Sequence, residues 1–465
     1  MTDGPWLGDA VSLVEAFRRG ERHPSEELEA VVAAAEASKL NAVCHVDGEA
    51  AVDAARRADV RLPFGGVPIG VKELEAVAGW PHSFASVPLA GQTATTDCSM
   101  VERLRAAGAV PAVQTTSSEF GATNQTATKL HGVTANPWSA ERTPGGSSGG
   151  SAAGVAGGLF TLGTGGDGGG SIRIPAGFCG LFGLKATYGR IPRGPHVGLG
   201  NFSSVVGCLS RSVRDTARWF DVCNGFHPRD PWSLPRVEGW ERDLGRFAGQ
   251  LRGLRVAILP ELGGAVVADE TVEVVTAGGE QLVADCGLRR VEVQLDLPEP
   301  GAAWGLTGSV GTRRKLGELW PECGADMTSP VRRGLEVACE RLDIDSLVRA
   351  EDLRDTLNEA MADLFERVDI VICAANPDVA FAAQGWLPTT FGGRDAPASN
   401  NGRLTIPANL YGNPAVSIPV GHSADGLPIG MQVMAAHHRE QMLLDLALSV
   451  EQERPWPLVT PGSPL

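Results

Sequence analysis

The sequence lacks the signals that mark several large classes of protein. No apolar run reaches the length of about 18 residues that indicates a membrane-spanning helix, so none is expected. Acidic residues outnumber basic ones, 55 to 40, and the net charge of −15 opposes non-specific binding to nucleic acid or to an anionic membrane. The N-terminal residues lack the basic region followed by an apolar core that is typical of a secretory signal peptide. We therefore expect no secretory signal and a cytoplasmic location.

Metal and nucleotide motifs are missing as well. The nine cysteines are scattered and none belongs to a Cys-x-x-Cys pair, which argues against a zinc site or a disulfide framework. The nine histidines include no His-Glu-x-x-His motif, and no Gly-Lys-Ser or Gly-Lys-Thr tripeptide closes a phosphate-binding loop. The sequence therefore predicts neither a metal nor a cofactor.

Glycine, in contrast, is abundant, above all in the segment 144–173. This segment reads PGGSSGGSAAGVAGGLFTLGTGGDGGGSIR, and nearly half of the positions from 144 to 170 are glycine. A flexible linker is the ordinary explanation for Gly/Ser-rich sequence. The apolar runs AAGVAGGLFTL and IRIPAGFCGLFGL indicate buried structure instead. A dinucleotide-binding loop fits poorly, because no acidic residue follows at the expected place. The density of glycine therefore points to a backbone that approaches a ligand closely.

Two serine sites lie inside the glycine segment, Ser147/Ser148 and Ser171, and Lys72 follows the apolar run VPIGV earlier in the chain. A lysine in water has a pKa of about 10.4, and burial lowers it. The apolar neighbours of Lys72 indicate such burial; the alternative is a surface lysine at a strand end. Serine, lysine and a glycine cradle together indicate an acyl-transfer hydrolase that works without histidine.

The same residues resemble the motifs of the amidase signature family. The signature segments are GGSSGGSAAGVAGG and GDGGGSIRIPAGFCGLFGLKATYGRIP, the lysine segment is VPIGVKELEAVAGWPHSFAS, and the C-terminal segment is LTIPANLYGNPAVSIPVG. The resemblance spans residues 63–225 and 369–465. The spacing from Lys72 to Ser147 and that from Ser147 to Ser171 also agree with the family.

The resemblance implies roles for the catalytic residues. Ser171 would be the nucleophile and Lys72 the general base. Ser147 would follow a cis peptide bond with Gly146 and bridge the two. The adjacent Ser148 would support this network.

The resemblance also implies a set of supporting groups. The oxyanion hole would consist of the Ser171 N–H and the N–H groups of three glycines, Gly168, Gly169 and Gly170. Losing one such donor costs about 3 kcal/mol of barrier. Asp167 and Arg173 flank the nucleophile and would hold the turn by a charge-assisted contact, because unpaired buried charge is very costly. Two positions depart from the family: Gly168 stands where Thr or Ile is frequent, and Glu73 where Asp is frequent.

Strand-like and helix-like segments alternate along the chain. This order predicts an α/β fold with a central mixed, largely parallel sheet covered by helices on both faces. We expect a single amidase domain over residues 1–465, with a helical N-terminal part in residues 1–60. Ser25, after Pro24, is the expected N-cap of the second helix. Residues 297–311 contain several prolines and glycines and are expected to break the pattern.

Residues 225–400 match the family least, and we expect this variable region to determine substrate specificity. Trp304, Trp320 and the loop 381–391 are the candidates for pocket residues. The alternative, that these aromatic side chains belong to the core, is equally open.

The sequence thus predicts an amidase that hydrolyses the C–N bond of a linear, small-molecule amide, and the resemblance implies a homodimer. A glutaminase A subunit of a tRNA-dependent amidotransferase is the alternative. In that subgroup an acidic residue is expected just before the LTIP-like run, where this chain has Gly402 followed by Arg403. A non-catalytic scaffold on the same fold is the third hypothesis, against which the three catalytic side chains weigh.

Overall fold

Strands and helices alternate over most of the chain. A computed structural model describes residues 4–195 and 202–463. Within these ranges the strands are β1 Val43–Val46, β2 Pro68–Lys72, β3 Val110–Thr115, β4 Ala127–Thr128, β5 Gly132–Val133, β6 Leu162–Asp167, β7 Phe182–Lys185, β8 Val205–Ser210, β9 Arg255–Ile258, β10 Arg289–Arg290, β11 Ile370–Ala374, β12 Thr390–Phe391, β13 Arg394–Asp395, β14 Ala415–His422 and β15 Pro428–Ala435. The α-helices are α1 Ala10–Arg19, α2 Pro24–Ala37, α3 Glu49–Arg56, α4 Ser99–Ala106, α5 Gly149–Ala156, α6 Arg173–Cys179, α7 Val213–Cys223, α8 Asp269–Cys286, α9 Gly301–Leu316, α10 Ser329–Arg341, α11 Ile344–Arg367, α12 Asn400–Arg403, α13 Ile406–Tyr411 and α14 Glu440–Glu453. None of the helices in the described ranges combines the length and the apolar character needed to cross a bilayer.

Eleven strands of the described chain form one mixed sheet, in the order β1-β3-β2-β6-β8-β7-β14-β15-β11-β9-β10. The sheet is parallel from β3 through β2 to β6, and again from β11 through β9 to β10. The centre, from β6 through β8, β7, β14 and β15 to β11, is antiparallel. The predicted α/β fold with a mixed sheet is confirmed.

The parallel share of the sheet is smaller than the sequence led us to expect. Six of the ten strand pairs that form this eleven-stranded sheet in the described residues are antiparallel. Residues 423–427 join β14 directly to β15. A connection this short allows an antiparallel pair, whereas a parallel pair needs a crossover of a dozen residues or so. The β14–β15 hairpin therefore accounts for one of the antiparallel pairs in the middle of the sheet.

Helices cover both faces of the sheet, as predicted. Successive residues of a strand point to opposite faces, and on β8 Cys208 belongs to one hydrophobic cluster and Leu209 to another. The cluster with Cys208 includes residues of α7 and α14, and the cluster with Leu209 includes residues of α5 and α6. Both α5 and α6 are buried along their whole length. The segments that lead into these two helices carry the two serine sites.

Two local expectations are wrong. The N-cap of α2 is His23, whose Nδ1 accepts from the Ser25 N–H at 3.2 Å. Pro24 is the first helical residue, a position that proline favours because its missing N–H costs nothing there. Residues 297–311 do not break the pattern, since α9 begins at Gly301. The prolines precede the first turn of α9, so they do not interrupt its hydrogen bonds.

Candidate active site

Lys72 lies where β2 ends, inside the sheet. Parallel pairing sets it beside Thr115 of β3, and its N–H donates to Thr164 Oγ1 of β6 at 2.9 Å. Only 1% of Lys72 is exposed. Its Nζ lies 2.7 Å from Ser147 Oγ and 2.9 Å from Ser148 Oγ. The two neighbouring strands thus fix the amine against both hydroxyls of the first serine site.

Burial changes the acid–base properties of this amine. Loss of water lowers the pKa of Lys72 to about 8, although the carboxylates of Glu75, Asp167 and Glu73 oppose the shift. With such a pKa, roughly a tenth of the Lys72 amines are neutral at pH 7, against fewer than about one in a thousand for an ordinary lysine. The buried amine can therefore accept a proton near neutral pH.

The turn before α5 presents the first serine site. The peptide bond between Gly146 and Ser147 is cis. A side chain at position 146 would place its Cβ 2.6 Å from the carbonyl oxygen of Thr123, so this position requires glycine. The carbonyl of Ser147 accepts from the Ser118 N–H at 3.2 Å. Backbone contacts therefore hold the turn independently of the hydroxyl groups.

A buried ion pair closes the loop between β6 and α6. Arg173 Nε and Nη2 each donate to the Asp167 carboxylate at 2.9 Å, and neither side chain is exposed. Other guanidinium hydrogens go to the Thr405 carbonyl, Gln432 Oε1 and Asn409 Oδ1. Burial by itself raises the pKa of Asp167, but the charge and hydrogen bonds of Arg173 and the hydrogen bond of Asn409 outweigh it and hold the pKa well below its usual range. The carboxylate is therefore ionised at neutral pH.

The loop formed by residues 167–171 carries the backbone N–H groups that the sequence singled out. The Gly170 N–H donates to Asp167 Oδ1 at 2.8 Å. Across residues 4–195 and 202–463, the N–H groups of Gly168, Gly169 and Ser171 donate to no acceptor. One of the three glycines expected to bind an oxyanion is thus engaged in holding the loop, and three open N–H groups are left on its neighbours.

Ser171 is half-buried and lies two residues before α6. Its hydroxyl forms no hydrogen bond with any residue that the structure describes. The structure thus joins Lys72 to Ser147 by a hydrogen bond, while Ser171 is not joined to either of them. Catalytic hydrogen bonds are often long in a free enzyme and tighten only with substrate bound.

One cluster in the described residues has side chains of the kind that bind metals. Cys44, Glu73 and His131 bring one potential ligand atom each to within 4.8 Å of one another. Both Glu73 oxygens already have partners, His131 Nε2 at 2.9 Å and the Ser117 N–H at 2.7 Å. Burial raises the pKa of the Cys44 thiol well above its ordinary value, and Glu73 adds to the shift. A metal would have to displace these hydrogen bonds and the thiol proton.

Three buried polar side chains contact the loop or the Arg173 guanidinium and escaped the sequence analysis. Asn409 Nδ2 donates to Asp167 Oδ1 at 2.8 Å, Thr405 Oγ1 donates to the Gly169 carbonyl at 2.6 Å, and Gln432 Oε1 accepts from Arg173. These residues stand in the apolar stretches LTIPANLY and GMQVM. Buried polar groups are nearly always hydrogen-bonded. Polar residues within apolar stretches therefore indicate that they have buried hydrogen-bond partners, but the sequence does not show which residues these partners are.

The aromatic candidates of the variable region lie in different places. Trp304 of α9 reaches the loop, and its Nε1–H donates to the Gly168 carbonyl at 2.7 Å. Phe381 packs edge-on against Phe178 of α6, with ring centroids 5.9 Å apart. Trp320 packs in a small hydrophobic cluster with Leu316, Met327, Val331 and Leu335.

Known proteins are similar to this chain in sequence and fold. The amidase family model matches residues 26–444. The chain belongs to the amidase signature family. The acylamidase of Rhodococcus erythropolis is 31% identical to this amidase, and the match covers 97% of this chain and 96% of that relative. The A subunit of glutamyl-tRNA(Gln) amidotransferase from Synechococcus sp. (strain RCC307) is 33% identical over 97% of this chain and 98% of its own.

Solved structures agree with this assignment. A bacterial aryl acylamidase of the amidase signature family superposes on the amidase with a TM-score of 0.90 at 25% identity, over 99% of both chains. A 6-aminohexanoate cyclic dimer hydrolase superposes with a TM-score of 0.87 at 28% identity, over 98% of this chain and 99% of its own. The predicted family and the predicted class of enzyme, an amidohydrolase, are confirmed.

Proposed function

We propose that the chain is a stand-alone amidase that hydrolyses a linear carboxylic amide through an acyl-enzyme on Ser171. The observation that carries the proposal is the distance of 2.7 Å between the buried Lys72 Nζ and Ser147 Oγ. A buried amine of lowered pKa against a serine hydroxyl is a general base with a proton path. The open N–H groups of the neighbouring glycine loop supply the electrostatic part of the site.

The reaction follows from these parts. Neutral Lys72 takes the proton of Ser147 as Ser147 takes the proton of Ser171, and Ser171 Oγ bonds to the amide carbon. The N–H groups of Gly168, Gly169 and Ser171 stabilise the resulting oxyanion. The C–N bond breaks as the proton returns through Ser147 to the leaving nitrogen. Water then attacks the ester by the same relay and releases the acid and free Ser171.

In this proposal the ion pair of Asp167 and Arg173 holds the conformation of the loop and takes no part in the proton transfers. Both side chains are fully buried and touch no solvent. Asp167 holds the Gly170 N–H and, more weakly, the Ile172 N–H, at 2.8 and 3.2 Å. The carboxylate thereby fixes the backbone on both sides of Ser171. Ser148 has a similar supporting role, as the second hydroxyl that contacts the Lys72 amine.

Aromatic side chains adjoin Gly121, whose backbone lies next to Ser147, and they favour an amide with an apolar, aryl-bearing group as substrate. Phe120 precedes Gly121, where a Cβ would lie 3.3 Å from Ser147 Oγ. The ring of Phe120 stacks on that of Phe84 at 6.3 Å between centroids, and Lys315 Nζ lies 4.6 Å from the Phe84 centroid. Trp304 and Lys315 both come from the variable region, which supports its role in substrate selection.

A glutaminase A subunit of a tRNA-dependent amidotransferase is the second candidate, because the Synechococcus relative is a subunit of such an enzyme. The residues at the position where a glutaminase subunit is expected to have an acidic side chain argue against this candidate. Gly402 has no side chain, and Arg403 Nη2 donates to the carbonyls of Leu297 and Gly263. No carboxylate at this position is available to recognise the amino group of glutamine.

The test combines a substrate panel with active-site labelling. Aryl amides, aliphatic amides and glutamine are assayed with the purified chain alone, and we expect release of amine from aryl amides but not from glutamine. A fluorophosphonate should attach to Ser171 with loss of fluoride, as located by mass spectrometry of peptides. Ser171→Ala should abolish both turnover and labelling.

Cys179→Ala is the matched control, because Cys179 lies eight residues further on and is the nearest cysteine in sequence to the nucleophile. Burial raises the pKa of this thiol far above its ordinary value, so the variant should retain activity. Full amide hydrolysis by Ser171→Ala would overturn the proposal. Glutamine turnover as fast as that of the aryl amides would favour the glutaminase instead.

A further inference from the structure

Four consecutive peptide groups ahead of Ser171 have their carbonyl oxygens held by separate donors. The carbonyls of residues 167–170 accept, in chain order, from Asn409 Nδ2 at 2.9 Å, Trp304 Nε1 at 2.7 Å, Thr405 Oγ1 at 2.6 Å and the Ile174 N–H at 2.7 Å. Two donors belong to the segment around α13, one to α6 and one to the variable region. The loop is thus fixed peptide by peptide.

Fixing a carbonyl also fixes an N–H. The peptide group is planar and trans, so the C=O of one residue and the N–H of the next point in opposite directions. The indole N–H of Trp304 holds the Gly168 carbonyl and therefore sets the direction of the Gly169 N–H. That N–H is one of the groups that donate to no acceptor in the described residues.

We propose that Trp304 is a positioning residue for the oxyanion hole: its indole N–H orients the Gly169 N–H toward the developing oxyanion. The inference rests on the acyl-enzyme mechanism proposed above. It assigns to a residue of the variable region an effect on the rate of the chemical step, beyond contact with the substrate.

Packing supports the assignment. A Cβ at position 169 would lie 2.7 Å from Trp304 Cζ2, so the indole ring lies against the Gly169 backbone. The backbone N–H of Trp304 donates to the Pro300 carbonyl at 2.9 Å in the first turn of α9. The half-buried indole ring packs on the main hydrophobic cluster. The helix thus fixes the backbone of Trp304 and the cluster fixes its ring, so the position of α9 can be transmitted to the loop.

The use of the indole N–H separates positioning from substrate recognition. That hydrogen is already committed to the Gly168 carbonyl, so it is not available to a substrate. If Trp304 were only a wall of the pocket, removing its N–H while keeping an aromatic ring would leave kcat almost unchanged. If it orients an oxyanion donor, the same change lowers kcat, because the donor contributes in the transition state.

The experiment uses Trp304→Phe and, as a second variant of matched shape, 3-benzothienylalanine at position 304, in which sulfur replaces the N–H. We expect kcat for an aryl amide to fall about 10- to 100-fold with KM unchanged. Binding of phenylboronic acid, in which Ser171 Oγ adds to boron and its proton passes to Lys72, should weaken by about the same factor, since the adduct places an oxygen in the oxyanion position.

Trp240→Phe is the control, because Trp240 Nε1 also donates to a backbone carbonyl, that of Val237 at 2.9 Å, away from the serine loop. Its kcat and boronic acid affinity should match the wild type. A rise in KM alone, or no change, in both Trp304 variants would overturn the role of Trp304. Fluorophosphonate labelling separates the two proposals: a wild type that resists the label overturns the acyl-enzyme mechanism, whereas a labelled Trp304→Phe with normal kcat overturns only the role of Trp304.

Discussion

Lys72 and Lys185 each end a strand of the same sheet, and both are buried, yet their amines meet different partners. Burial lowers the pKa of Lys72 to about 8 and that of Lys185 to about 7. Lys72 Nζ contacts the hydroxyls of Ser147 and Ser148. Lys185 Nζ donates to the carbonyl of Ala186 at 2.9 Å. The more strongly perturbed lysine is thus the one that contacts no hydroxyl in the described residues.

The comparison teaches that a lowered pKa does not by itself identify a general base. A base must lie within hydrogen-bonding reach of the proton that it removes. A backbone carbonyl carries no such proton, so Lys185 has nothing to deprotonate there. After burial, Arg173 is the largest cause of the lowered pKa of Lys185, which Asp167 and Glu440 partly oppose. Lys185 therefore lacks the geometry of a general base, whereas Lys72 has it, because Ser147 Oγ lies 2.7 Å from its amine.

The largest expected effect sets the two lysines directly against each other. Lys72→Met should lower kcat by about 10²- to 10⁴-fold, the usual contribution of a general base. Lys185→Met should retain most of the activity, because its amine contacts no reacting group. Steady-state rates with an aryl amide and thermal melts of both variants measure this contrast. An inactive, folded Lys185→Met beside an active Lys72→Met would reverse the assignment.

The pH profile sharpens the comparison, because burial lowers the pKa of Lys72 to about 8 and that of Lys185 to about 7. The base acts in its neutral form, so kcat/KM should rise about tenfold per pH unit below the pKa of Lys72 and level off above pH 8. Glu75, Asp167 and Glu73 face this amine and keep the value from falling further. Lys185→Met should show the same inflection. An inflection near pH 7 that disappears in Lys185→Met would mean that Lys185, and not Lys72, titrates in the pH profile. That result would contradict the assignment of Lys72 as the base.

The burial of Lys72 and its place beside the first serine site could be predicted from the sequence, because both depend on local motifs. Lys72, Ser147 and Ser171 stand in dense, specific motifs, and the apolar run before Lys72 already indicates its burial. The engagement of the Gly170 N–H by Asp167 could not be predicted, since both lie in one glycine-rich loop whose dihedral angles are free. Trp304 was singled out for a pocket, but its bond to the Gly168 carbonyl depends on where α9 packs.

The fold shows the same division between local and distant information. Alternating strands and helices predicted the α/β class and the helices on both faces. The order of strands depends on pairings such as β7 with β14, which come from opposite halves of the chain. Likewise, Asn409 and Gln432 become part of the site only because α13 and β15 return to the loop. Because both are polar residues within apolar stretches, the sequence indicates that each has a hydrogen-bond partner, but it does not identify that partner.

The third prediction concerns the free energy of unfolding and how the protonation of Lys185 makes it depend on pH. Unfolding returns the pKa of Lys185 from about 7 to its ordinary 10.5. Between these values the unfolded chain binds a proton that the folded chain does not, so the contribution of Lys185 to stability rises with pH over this window. Methionine at position 185 removes the titration. The free energy of unfolding of the wild type, relative to Lys185→Met, should therefore increase by about 1 kcal/mol per pH unit from pH 7 to 9.

Urea denaturation of the two proteins at pH 7, 8 and 9 measures this difference. Arg173, Asp167 and Glu440 surround position 185 in both proteins, so their own contributions largely cancel in the subtraction. Lys72 also remains in both. A difference that does not change with pH would mean that Lys185 stays protonated in the folded protein. In that case burial alone would not neutralise a strand-end lysine in this sheet, and the lowered pKa on which the role of Lys72 depends would need a cause other than loss of water.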